Sequence, residues 1–229
     1  MRYDTWRPVY ESILEGFGYD ATGDERARDE LALLCEPFDH RKLAHVRDAT
    51  VAICGGADSL ADELAVARRA DVVVAASVAA DTLREARVDV DLMVTDLDKN
   101  PDTARHLTRE GVPVAAHAHG DNVDLVKREV PGYDDEFVLP TVQCAPTGPT
   151  ENFGGFTDGD RAAFIADAFG AAELRFAGWD FDDPTVTDAK RHKLEWAARL
   201  LYWLEQRRGE RFGVLDGRRE SLTLPPGSS

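Results

Sequence analysis

Six times between residues 50 and 177 the chain repeats one pattern: a short apolar run, largely β-branched or small, stops at a turn and an amphipathic segment follows. The runs are 51–54, 72–76, 92–95, 114–117, 137–141 and 174–177. Continuous apolar runs of this length fit strands buried on both faces, and the segments between them supply the crossovers that parallel neighbours need. The alternation predicts an α/β fold: three layers, Rossmann-like, around a mostly parallel six-stranded sheet with right-handed crossovers. Such a sheet gathers its chemistry at the carboxyl ends of the strands.

Residues 1–47 read differently. Trp6, Val9, Tyr10, Ile13, Leu14 and Phe17 recur at helical spacing, and Leu31, Leu33 and Leu34 mark a second helix ending near Pro37. The predicted organisation is a helical N-terminal extension (1–47), an α/β catalytic domain (48–220) and a tail (221–229). A long helix is expected over 188–208, an edge hairpin over 212–224, and a disordered end from Pro225.

Charge narrows the function classes. The formal net charge is −16, and Lys42, Lys99, Lys127, Lys190 and Lys193 are the only lysines. Such a surface repels nucleic acid and anionic membrane, so neither is expected as a partner. Acidic excess with scarce lysine also suits a halophile cytoplasm, where screening removes self-repulsion. Cys35, Cys54 and Cys144 have no paired spacing, which suggests neither a disulfide framework nor a cysteine metal site. With no apolar leader or membrane-length run, the expected location is cytoplasmic.

The third run ends in Thr95-Asp96-Leu97-Asp98, and Pro101 then opens a helix. Two carboxylates at a strand end can face one hard cation, typically Mg²⁺, which takes its remaining ligands from water and phosphate. Isolated, the same aspartates would equally serve as turn and cap residues. The fourth run adds His117-Ala118-His119-Gly120-Asp121-Asn122, which puts a third carboxylate, Asp121, on that edge. His117 fits a structural role and His119 a substrate or phosphate contact; no further His or Cys completes a zinc site. After the first run, Gly55 and Gly56 can let backbone N–H groups approach a phosphate, and Ser59 can cap the helix or donate to an oxygen. A tight turn alone would also need glycine. The segment 152–162 sets Phe153 and Phe156 around Gly154-Gly155, followed by Asp158, Asp160 and Arg161. Its aromatics suit either a planar ligand or a loop anchor. Trp179 follows the sixth run, and Lys190 and Lys193 share one helix face at spacing i, i+3, which points to phosphate.

Taken together, Thr95–Asp98, the His117–Asn122 segment, Gly154-Gly155-Phe156-Thr157-Asp158-Gly159-Asp160-Arg161-Ala162, Gly178-Trp179-Asp180-Phe181 and Lys190-x-x-Lys193 resemble the archaeal 6-hydroxymethyl-7,8-dihydropterin pyrophosphokinase family. The likeness spans roughly residues 45–208, and the family's fold is similar to the thiamine pyrophosphokinase catalytic domain. Asp58 stands where the resemblance leads one to expect proline. The resemblance implies transfer of diphosphate from ATP to the hydroxymethyl group of a reduced pterin, with release of AMP, for methanopterin or folate synthesis. It implies that Asp96, Asp98 and Asp121 hold Mg²⁺, that Lys190 and Lys193 neutralise the transferred group, and that Gly55, Gly56 and Ser59 cradle ATP. His119, Asn122, Gly155, Asp158, Asp160, Arg161 and Trp179 would complete the binding site. Rival readings are a metal-dependent glycosyltransferase that uses a nucleotide sugar and a nucleotide-binding module without turnover. A homo-oligomer is left open.

Overall fold

In the computed structural model, which describes residues 1–228, strands β1 (Thr50–Cys54), β2 (Val72–Ala76), β3 (Leu92–Thr95), β4 (Val114–Ala118), β5 (Val138–Val142) and β6 (Glu173–Ala177) form one sheet. Its order is β5-β4-β3-β2-β1-β6, and every pairing is parallel. Ile53 lies between Val74 and Phe176 in the register, and Val94 between Ala76 and Ala115. The strands of the sheet's middle are buried along almost their whole length, which is why they read as unbroken apolar runs rather than alternating ones. Pro140 is tolerated because β5 is an edge strand. Phe137 closes a 3₁₀ turn (Asp135–Phe137), so β5 starts one residue later than the sequence suggests.

Helices α3 (Leu60–Ala67), α4 (Ala79–Glu85), α5 (Pro101–Arg109) and α6 (Val123–Glu129) join successive strands from β1 to β5. Right-handed crossovers in one direction place these on one face. The path from β5 to β6 reverses direction, so α7 (Asp158–Ala168) covers the other face, packed on β1, β2 and β3. The long α8 (Asp188–Arg208) lies against α7 and matches its predicted span. The reversal makes the carboxyl edge beside β1 and β6 a crevice, the usual ligand position in such sheets.

The N-terminal helices α1 (Tyr3–Phe17) and α2 (Ala21–Leu34) share this core: Trp6 is fully buried, lies 6.5 Å from the Phe164 ring of α7, and its Nε1 donates to the Gln143 carbonyl at 2.8 Å. The edge hairpin expected over 212–224 is not formed. Instead, 3₁₀ turns at Gly213–Leu215 and Arg219–Ser221 are tied to α8, where the buried Glu205 carboxylate accepts from the Phe212 N–H and from Nε and Nη2 of Arg219. At the open edge of β6 the Glu210 carboxylate, not a strand, accepts from the Leu174 N–H at 2.9 Å. The end expected to be disordered runs back over α8, with Trp203 Nε1 donating to the Ser228 carbonyl at 3.1 Å; Ser229 lies outside the described residues. Among the described residues no helix is long and apolar enough to cross a membrane.

Candidate active site

The turn after β3 is built to expose two carboxylates. Thr95 Oγ1 accepts from the Leu97 N–H at 3.0 Å, and Leu97, in a left-handed conformation (φ 69°), buries its side chain beneath the loop. With Leu97 as the anchor, Asp96 and Asp98 flank it on the open side, and the Asp98 N–H lies 3.4 Å from Asp96 Oδ1. Pro101 at the first turn of α5 and Asn100, whose Nδ2 donates to Asp81 Oδ2 at 2.9 Å, hold the far end of the turn.

The turn after β4 is locked onto this one by Asn122. Its Nδ2 donates to the Asp96 and His117 carbonyls, both at 2.7 Å, while its Oδ1 accepts from the His119 N–H at 2.9 Å. His119 Nε2 thereby comes to 3.7 Å from Asp96 Oδ2. His117 is fully buried, its Nδ1 3.1 Å from Thr141 Oγ1; burial first, then the charges of Arg161 and His119, push its pKa well below the usual imidazole value. Asp121 is exposed on the rim and joins the hydrogen bonds among Asp96, His119 and Asn122 only through its backbone, whose N–H donates to His119 Nδ1 at 3.4 Å. Among the described residues no three acidic, histidine or cysteine side chains converge closely enough to hold a metal ion by themselves.

Above the sheet edge stands the N-terminus of α7. Thr157 and Asp160 form a capping box, in which buried Asp160 accepts from the backbone N–H groups of Phe156 and Thr157. Gly155 (φ 91°) passes so close beneath that an added Cβ would lie 2.5 Å from Arg161 Cα, so no larger residue fits. Asp160 and Gly155 therefore shape the site without lining it. Arg161, almost completely buried, donates from Nη1 to Asp158 Oδ1 and from Nη2 to the Phe156 carbonyl, both at 2.9 Å, and its Nε has no partner.

Carboxylates are crowded here. Burial and then the charge of Asp96 push Asp158 up to about 8, against the pull of Arg161. Asp98 is pushed up to about 6 by burial and by Asp96 beside it. Burial also opposes ionisation of Asp96, but hydrogen bonding from His119 and Asp98 outweighs it and holds this carboxyl well below the ordinary range. Lys190 is lowered by desolvation and then by Lys99 and Lys193 nearby.

All these groups open into one cavity of about 720 Å³, within the range of small-molecule sites. Of the residues singled out in the sequence, it is lined by Asp96, Asp98, Asp121, Lys190, Lys193, Gly55, Gly56, His119, Asp158, Arg161 and Trp179. Ser59, Asn122, Gly155 and Asp160 do not line it. Ser59 sits in helical conformation at the start of α3, its Oγ buried and without a hydrogen-bond partner.

The sequence reading missed an entire wall. Tyr19, in the turn between α1 and α2, and Gly23, Asp24 and Arg26 of α2 line the cavity beside Gln143. Asp24 ties that wall in place: Oδ1 accepts from the Gly120 N–H at 2.7 Å, and Oδ2 accepts from Tyr10 Oη at 2.7 Å and Gln143 Nε2 at 2.8 Å. Ser77 and Lys99 were also missed, although Ser77 directly follows the end of β2. That position was a usable signal, because ligand sites gather at the carboxyl ends.

A profile of the MptE-like 6-hydroxymethylpterin diphosphokinase family matches residues 29–185, more than half of the chain. The chain belongs to this family. The match begins inside α2, after the N-terminal residues that line the cavity, and so leaves that wall out. A 6-hydroxymethyl-7,8-dihydropterin pyrophosphokinase of Methanothermobacter thermautotrophicus is 33% identical over 225 residues, covering 90% of this chain and 96% of that protein. One of the same name from Pyrococcus furiosus is 34% identical over 223 residues, covering 90% and 95%. A third, from Methanocaldococcus jannaschii, is 27% identical over 234 residues, covering 90% and 97%. The likeness to these family members thus extends over both N-terminal and α/β regions.

Proposed function

We propose that this protein is an ATP-dependent 6-hydroxymethyl-7,8-dihydropterin diphosphokinase. The observation that carries the reading is the single cavity in which Asp96 and Asp98 meet Lys190 and Lys193, in a chain of this family. The pterin hydroxymethyl oxygen attacks the β-phosphorus of ATP, the bond from that phosphorus to the α,β-bridging oxygen breaks, and AMP departs with the bridging oxygen. The β- and γ-phosphates pass to the pterin together. Such a transfer asks the protein chiefly for positioning and for neutralisation of charge.

Lys190 and Lys193, one turn apart on α8, neutralise the moving diphosphate, and Lys99 adds a third positive charge to the same cavity. Arg161 holds Asp158 at the back of the site, and Asn122 fixes the β3 and β4 turns so that His119 and Asp96 stay in register. The carboxylate pair fits Mg²⁺, which binds through one or two carboxylates and keeps water and phosphate as its other ligands. Burial raises Asp98 and Asp158 first and the charge of Asp96 adds to it; a cation there would offset both. Asp96 and Asp98 would hold it, with water and phosphate as its other ligands and Asp121 on the rim too far out to join them; bound, it would supply charge neutralisation at the phosphates.

A cytoplasmic setting at high salt accords with the −16 charge, and the product would serve methanopterin or folate synthesis. A nucleotide-sugar glycosyltransferase could use the same Asp-x-Asp, but membership of this family favours the diphosphokinase. The test is incubation of the purified protein with Mg²⁺, ATP and 6-hydroxymethyl-7,8-dihydropterin, followed by chromatography of the nucleotides. AMP formed only when the pterin is present supports the reading; ADP as product, or no turnover, sinks it.

A further inference from the structure

We propose that Ser77 is a nucleotide-binding residue whose hydroxyl donates a hydrogen bond to a phosphate oxygen of ATP. The proposal rests on the reading of this cavity as an ATP site. Ser77 follows the last residue of β2 and lines the cavity, yet is only 9% exposed, and its Oγ is buried without any hydrogen-bond partner. Buried hydroxyls in folded proteins are nearly always paired, so an orphan at the wall of a cavity points to a group the ligand supplies.

The backbone keeps this hydroxyl where it is. Ser77 adopts a left-handed conformation (φ 50°) that costs a residue with a Cβ, and such strain collects at ligand sites. Its N–H donates to the Val94 carbonyl at 2.8 Å, and its own carbonyl accepts from Asn100 Nδ2 at 3.3 Å. Asn100 belongs to the loop that carries Asp96 and Asp98, so the tip of β2 and the acidic turn are fixed to each other.

On its other side Ser77 adjoins the glycine turn. A Cβ on Gly56 would lie 2.6 Å from Val78 Cγ2, so the β1 and β2 turns touch and a larger residue at 56 would displace the Val78 side chain. Ser77 therefore stands beside the glycine turn, and Gly55, Gly56, Asp98, Lys99 and Lys190 line the same cavity. Lysines in this setting select an anionic oxygen, and in ATP the anionic oxygens are those of phosphate. Ser77 thus takes the role that sequence spacing suggested for Ser59, which does not line the cavity.

The experiment measures binding of α,β-methylene-ATP with Mg²⁺ by calorimetry, without pterin, for wild type, Ser77→Ala and Ser77→Gly. Loss of a hydrogen bond to a charged group should raise the dissociation constant roughly ten- to a hundredfold in both variants. Melting temperatures report folding separately, and Ser77→Gly, which accepts the left-handed conformation freely, carries the test if Ser77→Ala fails to fold. A dissociation constant within about threefold of wild type in either folded variant overturns the proposal. Wild-type protein that binds the analogue but makes no AMP with pterin would sink the proposed reaction alone; wild type that turns over while Ser77→Ala binds normally would sink the role of Ser77 alone.

Discussion

Asp158→Asn should make the metal-free protein more stable at pH 8, not less, although the substitution removes one half of a largely buried ion pair with Arg161, in which the Asp158 side chain keeps 13% of its exposure. In the folded state this carboxyl is raised from 3.8 to about 8, by burial and by Asp96. The folded protein therefore binds the proton more tightly than the unfolded chain does. Stability from this group is fully present below about pH 4 and is lost as pH rises toward 8. A rise of about 4 pH units at about 1.36 kcal/mol each sets a ceiling near 6 kcal/mol. The difference should fall below this ceiling, because the Asp158 side chain is partly exposed and paired with Arg161. The amide that replaces the carboxylate would still offer Arg161 Nη1 an oxygen but cannot ionise. Urea unfolding in 2 M KCl with EDTA, repeated from pH 5 to pH 9, measures the difference. Wild type should lose stability across this range relative to the variant, with the curves converging toward pH 5. Parallel curves, or a variant weaker at every pH, would show that Asp158 is ionised and structurally paired, and the argument from carboxylate crowding would fail.

Lys190→Ala and Lys193→Ala should each lower kcat with only a modest rise in KM for ATP, because charge on the moving phosphates grows in the transition state; the loss is about 2–4 kcal/mol, read by steady-state kinetics. Asp96→Asn should abolish turnover while shifting the melting temperature only modestly, because two effects oppose each other: the hydrogen bonding that holds this carboxyl below the ordinary range is lost, and so is the charge that helps raise Asp98 and Asp158; a collapse in melting temperature would mean that Asp96 is structural. Thermal stability should rise between about 0.1 M and 2 M KCl, beyond the first screening increment, given the −16 charge; a midpoint insensitive to salt would count against a halophilic origin.

The sheet was legible because periodicity reports burial directly. The runs ending at Cys54, Ala76, Thr95 and Ala177 match their strands at that end, and the 188–208 pattern matches α8, because both depend on apolar residues that face a core. The segment 212–224 misled because its fate rests on charge. Arg219 pairs with buried Glu205, 14 residues earlier, and local pattern carries no trace of that. The same limit hid the N-terminal wall. Asp24 reads as an ordinary first-turn carboxylate of α2, and it is buried only because Gly120 and Gln143, 96 and 119 residues away, converge on it. Asp96, Asp98, Lys190 and Lys193 were visible because each belongs to a short motif at a predictable strand end or helix face. Ser77 stood at an equally predictable place but lacked glycine or charge to mark it.

The central claim is that both terminal phosphates of ATP move to the pterin as one unit, and isotope partition measures this directly. Wild-type protein is given Mg²⁺, 6-hydroxymethyl-7,8-dihydropterin and ATP labelled with ³²P at either the α or the γ position, and the products are separated. The γ label should appear in the pterin diphosphate and the α label in AMP, in equal molar amounts. A γ label carried by a pterin monophosphate with ADP as co-product, or released as free phosphate, would contradict the account.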